Sequence, residues 1–271
     1  MLHNFQPDLQ IKQACESRLL AVTFIPGDQG SFFTQLLSLS PEVSKFKRVG
    51  VDYRLDRNAT AHINNEQWLS HCHHWDQASL LNDEYFFNNL SPKTLDELQS
   101  GKGLMTFRCH PAVTKAMQVI LPNLQVLYCY NTDPYMPYRY YYEKLIKPLG
   151  NHWFIEAFAR HIGQAPQYLT EEIKITLLLK WLNHSTLSCH DFPTAYKLCT
   201  NKFFEDPWPN YLNLCNHYKL TPHKKEEVLS TVKEYVSKQW TAVNHITDEL
   251  DFAIERHKKI QTCQRLCKHR R

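Results

Sequence analysis

Glycine is scarce in this chain. Only 7 stand among 271 residues, so two that fall close together mark backbone needing unusual freedom. No apolar run approaches the length of a membrane span, which predicts a chain without a membrane helix. Met1-Leu2-His3-Asn4-Phe5-Gln6-Pro7-Asp8 has neither a basic start nor an apolar core, so no secretory leader is expected. The 9 cysteines are odd in number and irregularly spaced. That argues against a disulfide framework and for a reducing, cytoplasmic compartment. Secretion as an effector without a classical signal peptide is the variant left open. Charge is not strongly one-sided: the formal net value is +4, much of it in Lys268-His269-Arg270-Arg271. This favours a solvated basic end over a nucleic-acid tail. Repeats and low-complexity tracts are missing too, which sets aside solenoids. His71-Cys72-His73-His74 has no second pair such as Cys-x-x-Cys elsewhere, and adjacent side chains rarely reach one ion, so no metal site is expected.

What the chain does have is concentrated between Arg18 and Leu39. Arg18-Leu-Leu-Ala-Val-Thr-Phe-Ile25 is almost continuously apolar, with β-branched and aromatic residues, and reads as a strand buried on both faces. Pro26-Gly27-Asp28-Gln29-Gly30-Ser31 follows as a tight turn. Phe32, Phe33, Leu36, Leu37 and Leu39 then fall at helical spacing. Strand, glycine-containing turn and helix open an α/β unit whose helix N-terminus can hold an anion. The alternative is an ordinary βα turn. The nucleoside triphosphatase pattern is absent, since no Gly-Lys-Ser/Thr follows the turn.

Further along, Lys47–Tyr53 reads as a second short strand, and residues 54–90 as an insertion with one or two helices anchored by Trp68, Trp75 and Phe86-Phe87. Ser91-Pro92 starts a helix through Leu98. A strand from Leu104 stops at Pro111, a helix carries Val113, Met117 and Ile120, and Leu124–Tyr130 is another buried strand. Strands alternating with helices predict a parallel α/β sheet. From Asp133 the chain turns largely helical: Tyr135–Pro148, Trp153–Ile162, and Leu169–Leu182 with Ile173, Leu177 and Trp181 on one face. Ala195–Leu198 returns a strand to the sheet, Trp208–Tyr218 is a short helix, and Thr221-Pro222 caps a long one over 221–262. The expected architecture is a single α/β domain over 1–271: a three-layer parallel sheet of the P-loop type with a largely helical C-terminal half.

Several collinear stretches resemble the sulfotransferase family. Gly30-Ser31-Phe32-Phe33 and Leu36-Leu37-Ser38-Leu39-Ser40-Pro41 are similar to that family's 5′-phosphosulfate loop and the helix after it. Phe107-Arg108-Cys109-His110-Pro111 resembles its strand ending Lys-Thr-His-x-Pro. Val126–Asp133, with Tyr140 and Tyr141 beyond, resembles the strand leading into its 3′-phosphate motif. Phe203-Phe204-Glu205-Asp206, Leu220-Thr221-Pro222 and Glu234-Tyr235 are a looser likeness to bacterial and viral members. Together these cover about 150 residues. Asp28 and Gln29 stand where the family's loop is basic, and Tyr130 and Tyr138 where its 3′-phosphate Arg and Ser stand.

The resemblance implies transfer of a sulfuryl group from 3′-phosphoadenosine 5′-phosphosulfate to an unknown hydroxyl on a small molecule, glycan or protein. It places a catalytic histidine at His110, as the general base that takes the proton from the acceptor hydroxyl, and a cation at Arg108. Donor contacts are expected from Gly27, Gln29, Gly30, Ser31, Phe32, Asn131 and Arg139. No metal is implied. The other reading is a degenerate member that keeps the fold and acts as a binding or interaction protein of effector type. The tyrosines 138 and 140–142 could stack a flat ligand, but on a helix most would be packing residues. Cys109 beside His110 is a minor candidate for a reactive thiol.

Overall fold

The computed structural model describes residues 8–24, 30–43, 82–88, 90, 92–100, 103–132 and 192–239, together with 163, 173, 175–177, 179, 252, 254–256, 258 and 259. The expected strand at 47–53, the insertion up to residue 81, the helices at 135–148 and 153–162, and residues 240–251 of the expected long helix lie outside these. The chain divides into two compact units, Met1–Thr132 with Ser188–Tyr235, and Asp133–Leu187 with Val236–Arg271.

The first unit is built on β1, Leu19–Thr23, whose five residues are all buried. A continuous apolar run of this kind belongs in the middle of a sheet, and there it lies. β2 (Met105–Cys109) pairs with one edge of β1 and β3 (Gln125–Tyr130) with the other; β4 (Tyr196–Cys199) extends the β3 side. All three pairings are parallel, with Thr23 opposite Cys109 on one side and Tyr128 on the other. The order of the described strands is β2-β1-β3-β4. Helices cover both faces, so the α/β three-layer reading of the sequence holds.

One face carries Leu19, Ala21, Met105, Phe107, Cys109, Val126 and Tyr128. It packs against α1 (Leu9–Arg18), α3 (Asp83–Asn88), α4 (Pro92–Ser100) and α5 (Pro111–Ile120), through Cys15, Phe86, Leu98, Val113, Met117 and Ile120. On α5 the buried positions 113, 117 and 120 repeat at the helical period, as the sequence spacing predicts. α1 begins at Asp8, whose carboxylate accepts from the N–H groups of Gln10 at 2.8 Å and Ile11 at 3.4 Å. It ends at Arg18, whose guanidinium donates to the Gly103 carbonyl at 2.8 and 3.0 Å and to the Glu97 carbonyl, and pairs with the Glu97 carboxylate at 3.1 Å. That fork fixes the start of β1 against α4 and the approach to β2.

A second group of helices consists of α2 (Gly30–Leu37), α6 (Thr200–Glu205), α7 (Pro207–His217) and α8 (Lys225–Gln239). Phe33 meets Phe203 edge to face at 4.9 Å between ring centres, and the Phe32 ring packs tilted by 30° against Tyr235 at 4.2 Å. Val228 and Val232 begin the apolar stripe of α8. Tyr218, just after α7, donates its hydroxyl to the Val126 carbonyl at 2.9 Å, and burial pushes its phenol far up.

Two local expectations are corrected. α8 starts at Lys225 rather than at Thr221-Pro222, because Thr221 has another partner. Its N–H donates to the Glu42 carboxylate at 3.0 Å and its hydroxyl donates to the same group. In the second unit, residues 173, 175–177 and 179 are helical as expected, but Ile173 is exposed while Ile175, Leu177 and Leu179 are buried. Trp181 lies outside the described residues.

Glu42 joins three segments. Its carbonyl accepts from the Leu104 N–H at 2.7 Å, at the entrance to β2, while its carboxylate receives Thr221 from the α7–α8 connection. The Thr221 hydroxyl, and then its backbone N–H, hold this carboxyl below its usual value of 4.5. A folded value below the unfolded one contributes stability above the unfolded value, and that stability is lost as pH falls through the lowered one. Because the group is half-exposed, solvent screening keeps the contribution to at most about 1 kcal/mol. Urea melts should therefore show Glu42→Gln less stable than the parent at neutral pH, with the gap closing in acid below pH 4.5. A gap that persists unchanged in acid would contradict this assignment.

Candidate functional site at the carboxyl edge of the sheet

From β1 the chain proceeds to β2 on one side, and from β3 it proceeds to β4 on the other. The carboxyl ends of β1 and β3 are therefore a topological switch point of the described strands, the place where ligands commonly bind in open α/β sheets. Phe24 follows β1 there, His110 follows β2 and Asn131 follows β3. Phe24 and His110 are neighbours across the sheet edge: Thr23 pairs with Cys109, and the Phe24 N–H donates to the Cys109 carbonyl at 3.3 Å.

The helix after the turn begins at Gly30. A side chain at this position would fall inside the ring of Phe24. The close approach that requires glycine is thus between the two ends of the turn, a packing requirement rather than a cradle seen to be shaped for an anion. Thr34 closes the first turn of the helix by donating its hydroxyl to the Gly30 carbonyl at 3.0 Å. Phe32, expected among the donor contacts, has its ring 2% exposed among Phe33, Phe203, Phe204 and Tyr235. What position 32 can offer an anion is its backbone N–H in the first turn. Gly27, Gln29 and Arg139 lie outside the described residues, as do the side chains of Ser31 and Arg108. The backbone of Arg108 is opposite Val22 in the β1–β2 ladder.

His110 is the N-cap of α5, with Pro111 at the first helical position. Its Nδ1 accepts from the Ala112 N–H at 3.3 Å, and its carbonyl accepts from the N–H of Thr114 at 2.9 Å and from the Thr114 hydroxyl at 3.3 Å. A nitrogen that accepts a hydrogen bond carries no proton, so the neutral ring in this arrangement is protonated on Nε2. The ring is therefore a donor at Nε2, and service as a base through that atom requires the other tautomer and loss of the cap.

At the β3–β4 end, Tyr130 stands where the resemblance expected an arginine. A phenol is uncharged at physiological pH, and burial, with the neighbouring Cys199, pushes this one further up from its ordinary value of 10. The Thr132 N–H donates to the Asn201 side chain at 3.3 Å, tying the segment after β3 to α6. The five described cysteines, Cys15, Cys109, Cys129, Cys199 and Cys215, are free thiols and buried. For Cys109, 4% exposed, this gives no access for a nucleophilic role. Among the described residues no cluster of three or more His, Cys, Asp or Glu could hold a metal, and no helix is long and apolar enough to cross a membrane. The sequence reading missed Thr23 and Thr114, whose hydroxyls are buried 2.6 Å apart. The i, i+4 spacing of His110 and Thr114 was the available signal.

No protein-family model matches the chain, and no curated protein matches it. Among solved structures, a crystal structure of the sulfotransferase STF1 from Mycobacterium tuberculosis is similar, at 12% identity and a TM-score of 0.37. The match covers 91% of this chain and 80% of that one. At such values the likeness says nothing about the site, which rests on its own residues.

Gly30→Ala should destabilise the chain by roughly 1–3 kcal/mol in denaturant melts, because the new methyl overpacks the Phe24 ring. Adding Phe24→Ala should recover part of that loss, giving a clear coupling in the double-mutant cycle. Gly30→Ala equal to the parent in stability would show that the two ends of the turn do not touch.

Proposed function

We propose that the chain is a sulfotransferase-like protein that moves a sulfuryl group from 3′-phosphoadenosine 5′-phosphosulfate to a hydroxyl acceptor. The observation that supports this reading is the β1–β2 register: Thr23 pairs with Cys109 and the Phe24 N–H donates to the Cys109 carbonyl, so Phe24 and His110 leave the sheet side by side at its carboxyl edge. Transfer of this kind needs a grip on anionic oxygens and a polar group close to the oxygen that gains or loses a proton. Backbone N–H groups of the first turn of α2, with Ser31, would meet the 5′ end of the donor. Asn131 and Arg139 would serve its 3′ side, Arg108 would offset charge on the group in transfer, and His110 would stand nearest the reacting oxygens. The acceptor would be a small molecule, glycan or protein.

A second reading has observations of its own in favour. The glycine of the turn is accounted for by Phe24, the His110 Nδ1 is engaged by the helix it caps, and Tyr130 is neutral where a cation was expected. A chain that kept the fold and serves as an interaction protein of effector type would look the same at these three places.

Calorimetry with adenosine 3′,5′-bisphosphate separates the two. The transferase reading expects micromolar binding, weakened about tenfold or more in Arg139→Ala through loss of a charge-assisted contact. Failure to bind millimolar nucleotide by a protein that still melts cooperatively would discard that reading and leave the interaction protein.

A further inference from the structure

The hydroxyls of Thr23 and Thr114 approach to 2.6 Å in a fully buried position. Thr23 is the last residue of β1, one before Phe24 and the turn; Thr114 is one helical turn into α5. Each hydroxyl has one proton to give. Thr114 donates its proton to the His110 carbonyl, so Thr23 is the donor in the pair. A directed chain results, from the Thr23 hydroxyl through the Thr114 oxygen and on to the His110 carbonyl. The same carbonyl takes the Thr114 N–H, and the His110 ring takes the Ala112 N–H. Back-bonding of a threonine to the carbonyl four residues earlier is common in helices. Here the threonine is also tied to the strand that runs into the turn, and the residue it holds is the histidine at the site.

We propose that the Thr23–Thr114 hydroxyl pair is the positioning device of His110, locking the first turn of α5 to the end of β1 and fixing the neutral ring with its proton on Nε2. This deepens the transferase reading and rests on it for any catalytic consequence: His110 then offers a hydrogen bond to an anionic oxygen instead of removing a proton from the acceptor. Neither threonine touches the substrate, so both act through the histidine. Their loss changes the state of its ring, which a purely structural threonine would not do.

The test is 15N NMR of the histidine side chains in the full chain at a pH where they are neutral. The His110 signals are assigned by their disappearance in His110→Asn, whose shorter side chain still caps the helix. The parent and Thr114→Ser, which keeps the hydroxyl, should both show the Nε2–H pattern. Thr114→Val should lose it to a mixture of tautomers. Thr23→Val breaks the same link from the other end and should give the same mixture, so it stands in if the first variant does not fold. An Nδ1–H ring in the parent, or an unchanged pattern in a folded valine variant, overturns the proposal. Bisphosphate calorimetry on the same samples tells the two failures apart. Absence of binding with the tautomer behaviour intact removes only the transferase reading, while binding with an unlocked ring removes only the positioning device.

Discussion

The first unit depends on burying β1 from both faces while it pairs in parallel on both edges. Leu19, Leu20 and Val22 are at most 1% exposed. Taking three such side chains out of water contributes roughly 5–9 kcal/mol, about as much as the net stability of a typical domain. Such a strand tolerates neither an exposed face nor a free edge, so β2 and β3 must flank it and helices must cover it. Parallel neighbours also put all the carboxyl ends on one edge of the sheet. The choice of that edge for the candidate site follows from the strand before any particular side chain is considered.

What the edge can hold is decided by charge. The backbone N–H groups at a helix start favour an anion by about 0.3–1 kcal/mol near the surface. Hydrogen bonds from a charged partner are worth about 1.5–3 kcal/mol each. A helix N-terminus alone would at most orient a sulfate or phosphate, and holding a nucleotide with several negative charges takes arginines. Asp28 and Gln29 stand where the resemblance expected a cation, and Tyr130, an uncharged phenol, stands where it expected another. The transferase reading and the interaction reading therefore differ chiefly in Arg108 and Arg139.

Elements defined by apolar pattern were legible from the chain alone. The Leu-Leu-Ala-Val-Thr run, the 113–117–120 spacing, the Leu124–Tyr130 strand and the short return strand near Tyr196 all stand where periodicity put them, because burial itself imposes those periods. Side-chain roles at element ends were less legible, since one residue type serves several partners there. Thr221 before a proline has the pattern of a helix cap, yet the Glu42 carboxylate, 179 residues away, takes its donors. Gly30 in a phosphate-loop-like stretch is explained by the ring of Phe24, a contact that needs the turn to close. Phe32 fits an anion-loop motif and is an aromatic core residue. In each case the deciding partner is far away in the chain or on the other side of a turn, and spacing does not encode it.

The same limit bears on His110, whose place the motif indicated and whose chemical state it did not. A histidine after a strand and before a proline sits at a helix start, where ring nitrogens and backbone N–H groups meet. Once the Ala112 N–H occupies Nδ1, the ring can give a proton but has no lone pair left to take one. A sulfuryl transfer run by this site would then draw its acceleration from hydrogen bonding to oxygens that gain charge as the bond to the donor breaks. The acceptor proton would leave late, to solvent or to the departing group.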